Sequence, residues 1–597
     1  MPGSHEGDMS DAVRRAGEFL REERAFRLGD LLTESFHPKT MNLSQTAQED
    51  LAGAIRMLQS VDAEIPPMAE KVLAEDVFGE LVESFVRAAS AGRRIYFTGC
   101  GSTGRLSILL EAAWRRFWRE LGQGQPEFSA LAGGMEQLSC SVMAGGDFAL
   151  IKAVEGFEDF PDFGRYQLRR AGVGPGDVVT AITEGGETPF VIGTAWEGLD
   201  AGAEVFFVYN NPTGLLAEHV QRSREVIEER RIHKLDLATG PMAITGSTRM
   251  QATTAELLVV GAALETAIVQ ILKERLSAAQ WEGLGPRLRE AGDYHGLFVG
   301  LLGELSRGEA VDAMARLTRY EEDIYRAGGL VTYAADSVLL DVLTDTTERS
   351  PTFMIPAFRG SDDTLSPRSW AFVKNPLRST GDAWRALLER EPRGLDWGPE
   401  VYGKLNAPER LRAGAPKLDN DQIYKFRIGG EPDASRSDGV DSALVAIGIG
   451  AEAGLLLDAA AKRFGAGYKR MAAITIGGRA EAADVDERFE FDCGPADSPL
   501  RLWEHLAVKL VLNTVSTATM VRMGRVLGNA MVWLSPSNKK LIDRGSRLVS
   551  HTTVCGYERA CVELHKAMDE VERRAARGEQ APSPVALAIE RIESQGS

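Results

Sequence analysis

Short apolar runs alternate with longer helical stretches over most of the chain. Three runs are typical of buried strands: RIYFTG (94–99), DVVTAI (177–182) and EVFFVYNN (204–211). They are short and rich in β-branched and aromatic residues, and glycine, aspartate or asparagine bounds them. Strands that alternate with helices predict a parallel sheet covered by helices, whose ligand loops lie at the carboxyl ends of the strands.

The same pattern occurs a second time after a helical segment at 251–325. Its apolar runs are GGLVTYAA (328–335), ALVAIGIG (443–450) and RMAAITIGG (470–478). The repetition predicts two α/β domains of one kind. The expected boundaries are a helical N-terminal segment at 1–90, a first domain at 91–275, a second domain at 276–550 and a helical tail at 551–597. Residues 355–440 are rich in proline, arginine, aspartate and tryptophan and are expected to form a long irregular insertion in the second domain.

Charge and cysteine content narrow the class of ligand and the compartment. The 597 residues include 86 acidic and 68 basic side chains, a net charge of −18, which argues against nonspecific binding to nucleic acid or to a membrane surface. Any anionic ligand must therefore be captured locally. Five cysteines without metal-type spacing favour a reduced, cytoplasmic setting. The most apolar windows, 257–272 and 442–461, contain acidic residues, so no membrane span is expected.

The loop GCGSTGRL (99–106) follows the first predicted strand and leads into a helical pattern. Its glycines allow a tight turn, and Ser102 and Thr103 place hydroxyls beside the free N–H groups of the helix start, which suits an anion. The spacing from Gly99 to Gly104 also matches a dinucleotide motif. The acidic residue that this motif requires would be Glu120, which falls in an arginine-rich helix, so a phosphate is favoured. A turn without any ligand remains the alternative.

Three further stretches carry candidate chemistry. ITEGGETPFVIG (182–193) is a second strand-end loop with hydroxyls, and GPMAITGSTRM (240–250) combines hydroxyls with a guanidinium, a combination suited to a phosphate or a sugar. IKAVEGFED (151–159) places Glu155 in a mostly apolar context. Each signal is weak alone, because a serine or threonine before a helix is usually only a cap and a glutamate is usually solvated.

Together and in this order, these motifs resemble the sugar isomerase (SIS) family that contains N-acetylmuramic acid 6-phosphate etherase and glucokinase regulatory protein. LLTESFHPKT (31–40) and the segment 508–549 extend the resemblance. It implies two SIS-type domains in tandem, flavodoxin-like three-layer αβα units with parallel sheets, in a layout closer to the regulatory protein. It also implies a site for a phosphorylated sugar or amino sugar that needs neither a metal nor a cofactor. The first domain would supply Gly101, Ser102, Thr103, Thr183, Gly185, Thr188, Ser247, Thr248 and Arg249 as binding residues.

The first domain departs from the etherase pattern at one of the family's two acid–base glutamates. One glutamate corresponds to Glu155, whereas the position of the other is occupied by Ala113. Glu111 lies two positions away, on another face of the predicted helix. The first domain therefore holds only half of the expected acid–base pair.

The second domain supplies what the first lacks. Glu348, in TERSPTF (347–353), stands where the missing glutamate should be, and the family's lysine corresponds to Leu257 in the first domain and to Lys509 in the second. Such complementary losses are expected if a symmetric dimer was duplicated and fused and kept one of its two sites. This hypothesis of an internal pseudo-dimer requires Glu348 and Lys509 to reach the Ser102 loop.

The resemblance implies three functions. The first is an etherase-like lyase that cleaves the lactyl ether of an amino-sugar phosphate, with Glu155 as the base and Glu348 as the acid. The second is a phosphosugar-sensing regulator without catalysis, whose partner would be a sugar kinase, and the third is a phosphosugar isomerase. The lyase is preferred, because nothing in the tail resembles a dedicated partner surface. His505, one helical turn before Lys509, is interpreted as structural.

Overall fold

The computed structural model describes residues 4–124, 126–154, 156–289, 292–437, 441–478, 485–494, 496–577, 579 and 582–596. Ten strands in these ranges form two five-stranded sheets, and every strand pair is parallel. The strands are β1 Ile95–Gly99, β2 Ser139–Met143, β3 Val178–Ile182, β4 Glu204–Tyr209, β5 Ile232–Asp236, β6 Val331–Ala334, β7 Ala371–Lys374, β8 Ala443–Ile449, β9 Arg470–Ile476 and β10 Glu487–Phe491.

Helices precede, cover and follow the sheets. They are α1 Ser4–Glu22, α2 Leu43–Glu49, α3 Leu51–Asp62, α4 Ile65–Leu73, α5 Asp76–Ser90, α6 Gly101–Gly124, α7 Pro126–Ala132, α8 Pro161–Ala171, α9 Pro189–Asp200, α10 Thr213–His219, α11 Gln221–Glu228, α12 Gln251–Arg275, α13 Ala278–Gly283, α14 Pro286–Arg289, α15 Tyr294–Leu305, α16 Gly308–Arg326, α17 Leu339–Phe353, α18 Thr380–Leu388, α19 Pro399–Lys404, α20 Glu409–Ala413, α21 Asn420–Tyr424, α22 Glu452–Phe464, α23 Leu502–Arg522, α24 Lys539–Thr553, α25 Tyr557–Ala576 and α26 Pro584–Gly596.

The two sheets have the same strand order. The first runs β2-β1-β3-β4-β5 and the second β7-β6-β8-β9-β10, so both follow the flavodoxin-like 2-1-3-4-5 order. This confirms the predicted fold class of two parallel α/β units. The order places the loops after the first and third strands of each sheet side by side, where ligands bind in open parallel sheets.

Six of the ten strands coincide with the apolar runs of the sequence, and these six are the inner strands of the two sheets. The four that the pattern did not predict, β2, β5, β7 and β10, are all edge strands. Their sequences, SCSVM, IHKLD, AFVK and ERFEF, are short or mixed with polar residues. An edge strand has one strand neighbour instead of two, which weakens the demand for a continuous apolar run.

Segment 355–440 differs from the irregular insertion that its composition suggested. It contains β7 and α18, so part of it belongs to the second sheet. The remainder docks on the first domain, where the Trp397 and Phe157 rings stack with centroids 5.7 Å apart. Arg393 Nη2 donates to Glu111 Oε1 over 2.6 Å, and Arg390 pairs with the same carboxylate. Glu111 is therefore a structural anchor, and the segment ties the two domains together.

Equivalent helices of the two domains pack against each other. The helix after the first strand of one sheet, α6, contacts its counterpart α17, and α12 contacts α23. By length and composition α12 could cross a membrane, but 89% of its most apolar window is buried inside the protein. Its apolar surface is used in packing against α5 and α23, which makes it a core helix.

Candidate functional site

A cavity lies where α6 and α17 meet α12 and α23. Its lining comes from both domains: Ser102, Arg105, Leu106, Leu109, Thr253, Leu257, Asp341, Thr344, Asp345, Glu348, Lys509 and Asn513. The three residues that the sequence required to meet, Ser102, Glu348 and Lys509, are all in this lining. Leu257, at the position of the family's lysine in the first domain, lines the same cavity as an apolar side chain.

In the glycine loop, Ser102 lines this cavity, whereas Thr103 forms hydrogen bonds within the loop. Gly101 opens α6 with φ +51°, and a Cβ on Gly99 would lie 2.5 Å from the backbone carbon of Thr103, so the turn needs glycine at both positions. The buried Thr103 hydroxyl donates to the Cys100 carbonyl over 2.9 Å and accepts from the Cys100 N–H. Its hydroxyl is committed to the turn, which leaves Ser102 as the hydroxyl at the cavity wall.

Arg105 is a cation in the lining that the sequence analysis missed. It lies on α6 one turn after Ser102 and is 3% exposed. Its Nε donates to the Thr347 hydroxyl over 3.2 Å and its Nη2 to the Ala149 carbonyl over 3.3 Å. In the described ranges no carboxylate comes within 4 Å of this guanidinium. The sequence GCGSTGRL shows its position, six residues after the strand. It does not show that the guanidinium has no carboxylate partner in the described ranges.

Lys509 is the second cation of the lining. Its Nζ donates to the Arg249 carbonyl over 2.6 Å and to Asn513 Oδ1 over 2.7 Å, both neutral acceptors. Burial lowers the pKa of Lys509 to about 8, although the charge of Glu348 opposes the shift. The lysine is therefore charged below about pH 8 and has no carboxylate in direct contact among the described residues.

Glu348 brings a carboxylate to the same cavity. It is 4% exposed, and no described residue forms a hydrogen bond with its Oε1. Its charge acts on both cations, since it raises the pKa of Arg105 and of Lys509 against the effect of burial. A buried oxygen without a partner costs about 1–3 kcal/mol, so its retention points to a task beyond packing.

The second predicted acid–base residue, Glu155, lies outside the described residues. Two other carboxylates stand near the glycine loop and were not singled out in the sequence, Glu158 and Glu184. Burial raises the pKa of each to about 7. Both also raise the pKa of the Cys100 thiol by their charge, which places them around the start of α6. Neither glutamate is in the lining of the cavity.

The hydroxyls of the loop between β3 and α9 are bonded to each other. Thr183 Oγ1 donates to Thr188 Oγ1 over 3.0 Å, and Thr188 Oγ1 donates to Glu187 Oε2 over 3.2 Å. The Gly185 carbonyl accepts a hydrogen bond of 2.9 Å from Asn211 Nδ2. These bonds hold the loop beside the glycine loop, since β3 neighbours β1, although none of its predicted binding residues is in the cavity lining.

Side chains of α24 and of the N-terminal segment lie around this loop. Lys540, at the start of α24, forms an ion pair with Glu187. Four residues later Arg544 pairs with Glu34 of the N-terminal segment, with contacts of 2.9 and 2.5 Å, and Arg547 adds a third at 2.7 Å. Sequence reasoning missed Lys540, because its partner lies in another part of the chain.

The segment 240–250 has a different role from the one expected for Arg249. The Arg249 guanidinium is 2% exposed and outside the cavity lining: Nη1 pairs with Asp345 at 3.1 Å, and Nη2 donates to Ser516 and Thr517. A ligand contact by this side chain is therefore not supported, because both terminal nitrogens are already paired inside the protein. Its backbone carbonyl instead holds Lys509.

Ser247 and Thr248 lie beside this arginine, and neither is in the cavity lining. The Ser247 N–H donates to the Ile244 carbonyl over 2.8 Å, and the Thr248 carbonyl accepts from the Thr253 N–H over 3.3 Å. Thr253, on α12 immediately after this segment, is in the lining. In the described part of the chain, no group of three or more histidine, cysteine, aspartate or glutamate side chains is arranged to hold a metal ion.

Comparisons with known proteins agree with this architecture. A family model described as the glucokinase regulatory protein N-terminal SIS domain matches residues 78–197. An N-acetylmuramic acid 6-phosphate etherase of Actinobacillus pleuropneumoniae serotype 5b (strain L20) is 28% identical over 246 residues, which cover 41% of this chain and 71% of the relative. The corresponding etherase of Pectobacterium atrosepticum is 30% identical over 233 residues, 39% of this chain and 67% of the relative.

One of the solved structures that match this chain is the tagatose-6-phosphate ketose/aldose isomerase from Escherichia coli. Its TM-score is 0.43 and its sequence identity 10%, and the match covers 80% of this chain and 94% of that one. The sequence matches to the etherases and to the regulatory protein's domain carry the assignment. This chain belongs to the SIS-domain family that contains the N-acetylmuramic acid 6-phosphate etherases and glucokinase regulatory protein.

Proposed function

We propose that the protein binds a phosphorylated sugar or amino sugar in the cavity between α6 and α17 and cleaves the lactyl ether of an amino-sugar phosphate as an etherase-like lyase. One observation carries the proposal: Glu348, with an oxygen that no described residue bonds, shares the cavity with Ser102 of the glycine loop and with Lys509. The named activity of the etherase relatives supports the choice of reaction.

Binding of the anionic ligand is assigned to three groups of the lining, Ser102, Arg105 and Lys509. The Ser102 hydroxyl stands at the start of α6, where free N–H groups and the helix dipole favour an anion. Arg105 and Lys509 contribute two positive charges that no described carboxylate neutralises by direct contact. In a chain with a net charge of −18, such local cations are needed to attract a phosphate.

The proposed reaction is an elimination. A base removes the proton from the carbon beside the aldehyde of the opened sugar, and the electron pair forms a carbon–carbon double bond as the bond to the lactyl oxygen breaks. An acid gives that oxygen a proton, so lactate leaves, and water then adds across the double bond. Glu348 is assigned as the acid and Glu155 as the base. The cations beside Glu348 would also stabilise negative charge that develops on the sugar.

The test is lactate release from N-acetylmuramic acid 6-phosphate by the purified full chain, measured beside the thermal shift that the same compound induces. Release of lactate together with a thermal shift is expected. A thermal shift without turnover would reject the lyase and retain the binding site. Absence of both would reject the binding site for this class of ligand.

A phosphosugar-sensing regulator is the second candidate. It is favoured by the family model that matches residues 78–197, which describes a domain of a regulatory protein. Binding without turnover would make a sugar kinase the partner to seek.

In either function, the identical strand orders and the division of Ser102, Glu348 and Lys509 between two domains support an internal pseudo-dimer that kept one site. We also place the protein in the cytoplasm, in keeping with five free thiols.

A further inference from the structure

A second cavity lies on the other side of the contact between α6 and α17. Its lining includes Ala113, Arg116, Ser337, Arg378, Arg501 and His505. Ser337 stands three positions after the end of β6, as Ser102 stands three positions after the end of β1. Counted in the same way, Ala113 corresponds to Glu348. The second cavity is therefore the counterpart of the first.

The second cavity lacks the arginine and the glutamate that line the first cavity. Leu340 replaces the arginine found at Arg105, and Ala113 replaces the glutamate. The donors of the second loop are also occupied: the Ser337 N–H and hydroxyl donate to the two oxygens of Glu452 over 3.0 and 2.5 Å, and the Ile449 N–H adds a bond of 3.2 Å. The protein's own carboxylate fills the place where the first loop has a free serine.

Three arginines from separate elements stand in the second cavity instead, together with three carboxylates, Glu120, Asp336 and Glu389. Arg378 Nε pairs with Asp336 at 2.9 Å, and Arg501 Nη2 pairs with Glu120 at 3.0 Å. Each of these arginines has further N–H groups that bond to no described residue. The third, Arg116, has no carboxylate within 4 Å in the described ranges. Burial and the like charge of Arg501 lower its pKa, although the charges of Glu389, Glu120 and Asp341 oppose the shift. An oxyanion would relieve this repulsion and use the free N–H groups.

A hydrogen-bonded chain joins the two cavities. Arg116 Nη2 lies 2.9 Å from His505 Nε2, and His505 Nδ1 lies 2.9 Å from Asp341 Oδ2, a residue of the first lining. Because a guanidinium can only donate, Nε2 is the acceptor in this contact, and Nδ1 faces the Asp341 carboxylate. The side chain that looked like an isolated structural histidine therefore connects one cavity to the other.

We propose that the second cavity is a regulatory site for a small molecule bearing a phosphate or carboxylate group, held by Arg116, Arg378 and Arg501 and sensed in the first cavity through His505 and Asp341. An oxyanion that draws Arg116 away breaks its contact with His505 Nε2. His505 is then free to shift, and its hydrogen bond to Asp341 carries the change to the lining of the first cavity. This coupling rests on the proposed function, whereas the binding of the oxyanion does not.

Binding is tested on the full chain carrying Lys509→Met, which weakens the first cavity. Calorimetric titrations with inorganic phosphate and, separately, with citrate are compared with and without Arg378→Met. Saturable binding of either anion, weakened at least tenfold by Arg378→Met, is expected, and the anion that binds identifies the group. Arg378 is 42% exposed, so this variant is expected to fold, which circular dichroism verifies. No saturable binding, or equal binding by both proteins, would overturn the site.

Coupling is tested on the chain with Lys509 intact. The dissociation constant of N-acetylmuramic acid 6-phosphate is measured with and without saturating citrate, and a severalfold decrease is expected that His505→Asn abolishes. An unchanged constant would overturn the coupling and leave the oxyanion site standing. If the phosphosugar does not bind at all, the proposed function fails, while the titrations of the second cavity still decide this inference.

Discussion

Ser102 and Glu348 line one cavity although they follow strands of different sheets. Ser102 opens α6 after β1, and Glu348 lies on α17 after β6. The contact between these two helices brings the hydroxyl loop of one domain to the carboxylate of the other. Neither domain has both groups, so the proposed site exists only in the assembled chain.

Replacing Glu348 with glutamine removes the proposed acid while keeping the shape of the side chain. We expect lactate release to fall about 10²- to 10⁴-fold in kcat with little change in KM, because general acid catalysis is lost and binding is not. The matched control is Glu265→Gln in α12, another buried glutamate, whose Oε1 accepts from the Leu500 N–H at 2.9 Å. Full turnover by Glu348→Gln would contradict the assignment.

The charge of Lys509 predicts how phosphosugar binding depends on pH. The pKa of Lys509 is lowered to about 8, so the protonated, anion-binding form is present below about pH 8 and disappears as the pH rises through that value. Binding should weaken over the same interval. Lys509→Met should weaken binding about 10- to 100-fold at pH 7, the loss of a charged hydrogen bond worth about 1.5–3 kcal/mol, and flatten the profile.

A matched control for this profile is Lys374→Met. Burial also lowers the pKa of Lys374 to about 8, but this lysine lies at the end of β7 and donates to the Glu431 carbonyl, outside both cavities. Titrations of the two variants across pH 6.5–9.5 should separate them. A flattened profile in Lys374→Met would assign the pH dependence to another group than Lys509.

Glu34 fastens the C-terminal helices to the N-terminal segment through Arg544 and Arg547. Glu34→Gln leaves two arginines without their buried partner and should lower the free energy of unfolding by about 3–5 kcal/mol at pH 7. The arginines hold the pKa of Glu34 below its usual value of 4.5. Its contribution to stability is therefore present above pH 4.5 and is lost as the pH falls through the lowered pKa.

Urea denaturation of the wild type and of Glu34→Gln measures this effect. The difference between them should be full at pH 7 and should shrink on acidification below pH 4.5. Glu487→Gln is the control, since its partner Arg316 is 49% exposed and such a pair contributes about 0–1 kcal/mol. Equal losses for the two variants would show that burial of the Glu34 cluster confers no special stability.

Glu452 is expected to occupy, with its own carboxylate, the anion-binding position of the loop after β6, which corresponds to the glycine loop after β1. Glu452→Ala leaves the Ser337 and Ile449 N–H groups without an acceptor and should cost about 1–3 kcal/mol of stability. Inorganic phosphate should restore part of the lost melting temperature. Asp458→Ala, on the exposed face of the same helix, should show neither effect. A Glu452→Ala variant that phosphate does not stabilise would mean that the loop is no longer an anion site.

The apolar pattern determined the inner framework of both sheets. The runs at 94–99 and 443–450 were recognised because an inner strand of a parallel sheet is covered on both faces and has strand neighbours on both sides. Edge strands such as β5 escaped, because His233 and Lys234 can stay half-exposed at the sheet border. Two domains of one fold were therefore predictable, but the number of strands in each sheet was not.

The sequence by itself determined which residues could form a site, and only the tertiary structure decided which of them line one cavity. The spacing of glycines and hydroxyls specified the Ser102 loop, because a turn and a helix start are local structures. Whether a charge stays available depends on partners that are distant in sequence. Arg249 and Arg105 both lie beside hydroxyl-bearing loops in the sequence. Arg249 forms an ion pair with Asp345, whereas Arg105 has no described carboxylate in contact. Folding brings such partners together through helix packing between domains, which no local pattern encodes.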